Sequence, residues 1–237
     1  MPTFNTERLK PLTAYATQGA GFNKLFELST LMGIKVENDT LYLNTTDGTN
    51  YLRVSDKCVA DDLDVTVNAE LFAKLISKLN SETVDINVVD YKLEVVGNGK
   101  YTLELTPDET GEKLSFPDRF PTQTTEIGKV SAIDLSAIKT TLQASLSSVA
   151  GNIYTNYYFG DVVASTDKAM AGIFSRKLFD EPYIFNREFI DLVALGGEEV
   201  TFSKSADMVV AKTMLGNDCS ICVCTKLQAN EIEIGRA

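Results

Sequence analysis

The sequence predicts an α+β protein built from two copies of one architecture. Three observations lead there. Four landmarks recur in one order about 120 residues apart. Short segments of alternating apolar and polar residues, bounded by Gly, Asn and Asp, read as antiparallel strands. Each copy also holds two segments whose apolar residues recur at helical spacing. The landmarks are LNTTDGTNYLRVS (43–55) against VASTDKAMAGIFS (163–175), with Thr46-Asp47 opposite Thr166-Asp167; VTVNAELFAKLI (65–76) against YIFNREFIDLVA (183–194), with Asn68 opposite Asn186; and the long strand segments 82–105 against 198–223, with the turn Gly97-Asn98 opposite Gly216-Asn217. A period this long is that of a domain, not of a solenoid unit.

In the first copy the opening helix is expected from Thr6 to Gln18, broken by Gly19-Ala20-Gly21. TLYLNTTD and NYLRVS follow as two strands joined by a turn. Asn68 caps the second helix, with Glu70 in its favourable first turn. Leu71, Phe72, Leu75, Ile76 and Leu79 form its expected buried stripe. TVDINVVD and KLEVVGNGKYTLEL are strands, and Asn98-Gly99 is a hairpin signal. In the second copy IDLSAIKTTLQASLSSVA (133–150) is expected to open with a helix capped by Asp134, burying Ile138, Leu142 and Leu146. YTNYYFGDVVAST suits strands, and REFIDLVALGG is a helix closed by Gly196. Between the copies, LSFPDRFPTQTTEIG (114–128) reads as an extended connector. The expected layout is residues 1–115, a connector 116–130, and residues 131–237.

The chain has 237 residues, is 44% hydrophobic and carries a formal charge of −11, enough apolar content for a substantial core. It lacks 18 consecutive apolar residues, and its start, MPTFNTERLK, is unlike a secretion signal, so a cytoplasmic protein without a membrane partner is expected. Histidine is absent. That removes the commonest general base and the His-dependent nucleophile pairs and zinc sites. Cys219, Cys222 and Cys224 lie in CSICVC, where strand alternation would send Cys219 and Cys222 to opposite faces. They are read as buried, reduced cysteines, not as a metal or redox pair. In GNGKYT a phosphate loop would need a first glycine with four residues between it and Gly99-Lys100, yet the residue there, 94, is glutamate. The repeated Thr-Asp pair is read as a turn, because Asp accepts backbone amides there. Tyr154, Tyr157, Tyr158 and Phe159 are read as strand and core residues rather than a base-stacking platform. No catalytic residue, metal or cofactor is therefore expected, and the protein is not read as an enzyme.

Positive charge falls preferentially on the predicted helices. Arg8 and Lys10 lie on the first, Lys74 and Lys78 share one face of the second, Lys139 lies on the third and Arg187 on the fourth, with Lys24 in the loop after the first. Acids crowd the apparent loops DKCVADDLD, PDETGE and GGEE. This split suits a basic lining inside an acidic exterior.

With FNTERLKPLTAYATQGA, DTLYLNTTDGTN, VTVNAELFAKLISKL and FPDRFP in the first copy, and NIYTNYYFGDVVASTDKAMAGIFS in the second, the sequence resembles the DNA sliding clamps typified by the bacterial polymerase III beta subunit. The resemblance covers nearly the whole chain. It departs in domain count: bacterial clamps have three domains per chain and this one has two, the count of eukaryotic, archaeal and phage clamps. The resemblance implies two inner helices per domain packed on antiparallel sheets, and a six-domain ring, here a homotrimer. It further implies sequence-independent binding of double-stranded DNA by Arg8, Lys10, Lys24, Lys74, Lys78, Lys139 and Arg187. The implied partners are a DNA polymerase and an ATP-driven clamp loader, with a partner-peptide groove at Thr46, Tyr51, Phe120 and Leu227. A phage origin, acting in host cytoplasm, fits the compact form. The competing reading is a non-enzymatic viral structural or assembly protein built from a duplicated α+β domain.

Overall fold

A computed structural model describes residues 2–21, 26–146 and 153–228, which divide into two compact units. Unit 1 comprises Met1–Phe120 with Leu215–Cys222; unit 2 comprises Pro121–Met214 with Val223–Ala237. Unit 1 runs β1 (Thr3–Asn5), α1 (Thr6–Thr17), β2 (Leu31–Glu37), β3 (Thr40–Thr46), β4 (Asn50–Lys57), β5 (Leu63–Asn68), α2 (Ala69–Lys78), β6 (Thr83–Val89), β7 (Lys92–Val96) and β8 (Lys100–Glu104). The second copy repeats the series as β9 (Thr125–Ser131), α3 (Ala132–Leu142), β10 (Asn156–Phe159), β11 (Val163–Thr166), β12 (Ala171–Phe174), β13 (Tyr183–Asn186), α4 (Arg187–Val193), β14 (Glu199–Lys204), β15 (Met208–Met214) and β16 (Ser220–Lys226).

Within unit 1 the sheets have the orders β1-β6-β7-β8 and β5-β2-β3-β4. The corresponding strands of the second copy stand as β9-β14-β15-β16 and β13-β10-β11-β12, the same two orders. The strands of β1-β6-β7-β8, β5-β2-β3-β4 and β13-β10-β11-β12 pair antiparallel, as does β14 with both β9 and β15. This establishes the α+β class and the duplication together.

The repeat extends to single hydrogen bonds. In the first copy the Thr46 hydroxyl donates to the Asn50 carbonyl at 2.7 Å and accepts from the Gly48 amide at 3.0 Å, while Asp47 Oδ1 accepts from the amides of Thr49 and Asn50. In the second, Thr166 donates to the Met170 carbonyl at 2.8 Å and accepts from the Lys168 amide, and Asp167 Oδ1 accepts from Ala169 and Met170. The Thr-Asp pair is thus a turn device, as its chemistry predicts.

Every α-helix starts on a side-chain cap. Asn5, Asn68, Ser131 and Asn186 accept the amides of Arg8, Leu71, Asp134 and Phe189. Here the third helix corrects the sequence expectation. Its cap is Ser131, whose hydroxyl accepts from the Asp134 amide at 3.1 Å and donates to the Asp134 carboxylate at 2.8 Å. The α-helix ends at Leu142 and continues as a 3-10 turn to Ser145; the expected extension through 147–150 lies outside the described residues. The expected stripe of α2 also needs correction. Phe72, Ile76 and Leu79 are buried, Leu75 is half-buried, and Leu71 is 54% exposed. Leu71 lies three and seven residues before Lys74 and Lys78, so helical spacing puts it on the lysine face.

The expected connector 116–130 is not one segment. Phe116 is buried in unit 1, over Gly33 of β2, where a Cβ would come within 2.3 Å of the Phe116 Cβ. Thr125–Ser131 is strand β9. The proline and threonine content of this stretch concealed an edge strand.

The unit 1 core is largely aliphatic, with Phe72 at its centre, whereas unit 2 packs Phe159, Phe179, Tyr183, Phe185, Phe189 and Phe202 edge-on and tilted. Tyr157 and Phe159 are core residues, as read from sequence; Tyr154 and Tyr158 are half-buried. None of the four cysteines is in a disulfide, and only Cys224 is buried. Burial, reinforced by the charge of Asp191, pushes the Tyr157 hydroxyl up to about 12 from its ordinary 10.0. The fold therefore favours neutral tyrosine. This stabilisation is complete below pH 10 and is lost as pH rises to 12, about 2–3 kcal/mol over the interval. Urea titrations at pH 9 and pH 11.5 are expected to show the fall, and Tyr157→Phe should reduce it.

Candidate functional site

Among the described residues the four α-helices carry six basic and five acidic side chains, while the whole chain has 22 basic against 33 acidic residues. The helices are thus close to neutral in a strongly acidic protein. The side-chain geometry then separates the basic residues named from sequence. Arg8 clasps the buried Asp56 with two hydrogen bonds, Nε to Oδ2 at 2.5 Å and Nη2 to Oδ1 at 2.6 Å. That contact raises the Arg8 pKa above its ordinary value. Lys10 pairs with Glu7 at 2.7 Å. Lys139 of α3 and Arg187 of α4 share Asp191, at 2.8 and 3.5 Å. Lys24 lies outside the described residues.

Lys74 and Lys78 differ. Both are exposed on α2 and neither has a carboxylate within ion-pair distance among the described residues. The helix positions them by burying Phe72, Ile76 and Leu79 opposite, which leaves residues 74, 77 and 78 outward. Lys78 also sits in the last turn, where the helix dipole favours a cation. On α3 the outward face is nearly uncharged. A shallow cleft there is lined by Ser136, Lys139, Thr140 and Gln143, with Ala194 and Gly196 from the end of α4. Its polar lining is hydroxyl, amide and ammonium groups, with no carboxylate among the lining residues.

Among the residues named for a peptide groove, Thr46 is fully buried and its hydroxyl is committed to the turn, so it shapes the turn rather than lining a surface. Tyr51 is half-buried on β4. In unit 2, Leu227 is 37% exposed and its amide donates to the Asp207 carbonyl. Phe120 is half-buried, and the residue that organises it was missed from sequence. Arg53 stacks its guanidinium over the Phe120 ring at 4.3 Å and the Tyr42 ring at 5.3 Å. It also pairs with Asp118 at 2.9 Å and donates to Asn44 at 2.8 Å. The clue available in sequence was strand alternation, which puts Arg53 on the same face as Tyr51. Among the described residues no three His, Cys, Asp or Glu side chains converge to hold a metal, and no helix is long and apolar enough to cross a membrane.

These two units, each of two capped helices on two four-stranded antiparallel sheets, are those of the DNA sliding-clamp fold. Solved structures that match include bacterial clamps. The DNA polymerase III subunit beta from Pseudomonas aeruginosa superposes with a TM-score of 0.78 at 17% identity, over 97% of this chain and 65% of its own. The C. crescentus beta sliding clamp gives 0.83 at 14% identity, over 98% and 66%. The Helicobacter pylori beta clamp bound to a DNA ligase peptide gives 0.72 at 16%, over 96% and 66%. The chain therefore spans about two-thirds of the length of the clamps it matches. No family model and no curated protein matches the sequence.

Proposed function

We propose that this protein is a DNA sliding clamp, a processivity factor that encircles double-stranded DNA and tethers a polymerase without reading sequence. The observation that carries the reading is the duplicated clamp unit with near-neutral helices, two lysines on α2 that have no ion-pair partner among the described residues, and an otherwise acidic chain. Phosphate contacts carry no sequence information and shift easily along a duplex. Non-specific binding of this kind has a dissociation constant of roughly 10⁻⁴ to 10⁻⁶ M, too weak to hold a polymerase by itself. A closed ring supplies retention by topology while weak contacts permit sliding. Acids elsewhere do not cancel the lysines, because charges are screened beyond about 8 Å at physiological salt. They disfavour DNA on the outside. No bond is made or broken, so the role needs no catalytic group.

Lys74 and Lys78 are the principal phosphate contacts in this reading. Lys139, Arg187, Lys10 and Arg8 contribute less, because each already faces a carboxylate. Two units per chain and six per ring make the assembly a homotrimer. The duplication also supports the manner of closure. Within unit 1, Ser220–Cys222 of β16 extends the sheet at β4, where Ser55 and Ser220 share a hydrogen bond of 2.8 Å. The repeat equivalents of β4 and β16 are β12 and β8, both sheet edges. These edges expose Ile173 and Tyr101, so β8 of one copy is the natural extension of β12 in the next. An ATP-driven loader would open such a ring. The Helicobacter clamp holds a DNA ligase peptide; here Tyr51 and Phe120, with Arg53 fixing the latter, are the proposed docking residues for a polymerase peptide. The site of action is the cytoplasm, that of the host if a phage encodes the protein.

The test is topological. The protein is loaded on nicked circular DNA and the circle is then linearised. Retention on the circle with loss from free ends is expected. Equal retention on both forms would mean ordinary surface binding and overturn the reading.

A further inference from the structure

Each copy ties the start of its first helix to the strand segment after its Thr-Asp turn with an arginine–aspartate pair, and the two copies do so with opposite polarity. In the first, the helix residue is Arg8 and the strand residue is Asp56. In the second, the helix residue is Asp134 and the strand-side residue is Arg176, with Nη1 and Oδ1 at 2.5 Å. The positions are equivalent. Arg8 and Asp134 are each the residue whose amide is capped, by Asn5 and Ser131 respectively. Asp56 and Arg176 each stand nine residues past the turn aspartates Asp47 and Asp167, whose hairpins share one register: Thr46 faces Tyr51 and Thr166 faces Ala171. In both pairs the carboxylate is the buried member, at 5% and 12% exposure, with the arginine closing over it at 52% and 60%.

We propose that this reversal is a pairing code that keeps each helix with its own repeat during folding. A chain holding two units of one topology is prone to misassembly, the first helix of one copy docking on the strands of the other, within a chain or between chains. The code penalises both exchanges. Arg8 would meet Arg176, two cations with no carboxylate between them, and Asp134 would meet Asp56, two carboxylates that are each buried in the native pair. Discrimination by repulsion of the wrong partner is the general route to specificity where the attractive surfaces are alike. It operates whether or not the assembled protein encircles DNA.

Three full-length variants test it by refolding from denaturant at one dilute concentration, with the native fraction read by size exclusion. Arg8→Asp with Asp56→Arg gives both copies the polarity of the second. Asp134→Arg with Arg176→Asp gives both the polarity of the first. Each keeps opposite charges within its own repeat but makes the exchanged pairs attractive. Each is expected to lose at least threefold in native fraction, the remainder moving to exchanged or larger species. All four substitutions together restore opposite polarity between copies and should recover yield relative to either double variant. That recovery separates the code from local damage, because the fourfold variant contains every local perturbation of both doubles. Wild-type yield in both double variants, or a fourfold variant no better than the poorer double, would overturn the proposal.

Discussion

Replacing Lys74 and Lys78 together by glutamate should weaken sequence-independent DNA binding by at least tenfold and lower processive synthesis in proportion. The folded protein should keep its melting behaviour. Both side chains are exposed on α2 and neither is committed to an ion pair among the described residues, so the substitution removes two mobile cations without disturbing packing. Surface changes of this kind usually alter stability by no more than about 0.5 kcal/mol. The diagnostic reading is salt dependence. Each lysine that neutralises a phosphate contributes about one to the slope of log affinity against log salt. The double variant should therefore lose about two from that slope for every copy engaged. Glutamate at Lys139 and Arg187 should do less, because Asp191 already offsets those cations. An unchanged slope in the Lys74/Lys78 variant would place the DNA path elsewhere on the molecule.

Phe72→Ala should cost about 3–5 kcal/mol of stability, the usual range for deleting a buried aromatic side chain. The ring is fully enclosed, on the face of α2 opposite the lysines, beside Ile76 and one residue along from the outward Leu71. Thermal or urea unfolding measures the loss. Leu71→Ala offers the comparison. Although it is also a large apolar residue of the same helix, it is 54% exposed and should cost under about 1 kcal/mol. Together the two variants separate the helix's packing from its outward chemistry. Phe72→Ala should leave the salt slope of DNA binding intact in the molecules that remain folded, while the lysine variant should leave the melting curve intact.

Much of the fold was legible because its signals are local. Asn68 and Asn186 cap helices since a short side chain reaches back to an amide three residues on. The Thr-Asp turns repeat bond for bond since the hydroxyl and carboxylate act within five residues. The two copies could be aligned because those devices recur at one spacing. The errors came where local rules compete. Asp134 looked like a cap, but Ser131 fills that role, and the Asp134 carboxylate accepts from the Ser131 hydroxyl. Leu71 matched the apolar pattern of α2 by residue type while its angle around the helix placed it with the lysines. The strand Thr125–Ser131 was hidden by a connector-like composition, because an edge strand needs only a partner's hydrogen bonds and β14 supplies them.

The sequence alone determined the α+β class, the duplication, the capped helices and the concentration of cations on them, since each rests on contacts within a few residues or on counting. Which cations remain available was decided only by tertiary structure. Asp56 reaches Arg8 across 48 residues and Asp191 reaches Lys139 across 52, and no local pattern announces such a meeting. Arg53, unremarked in the linear chain, became the organiser of Phe120 for the same reason. A charge's neighbours are set by how the chain folds back on itself, so the list of positive residues could be written from sequence, but their division into tethered and free could not.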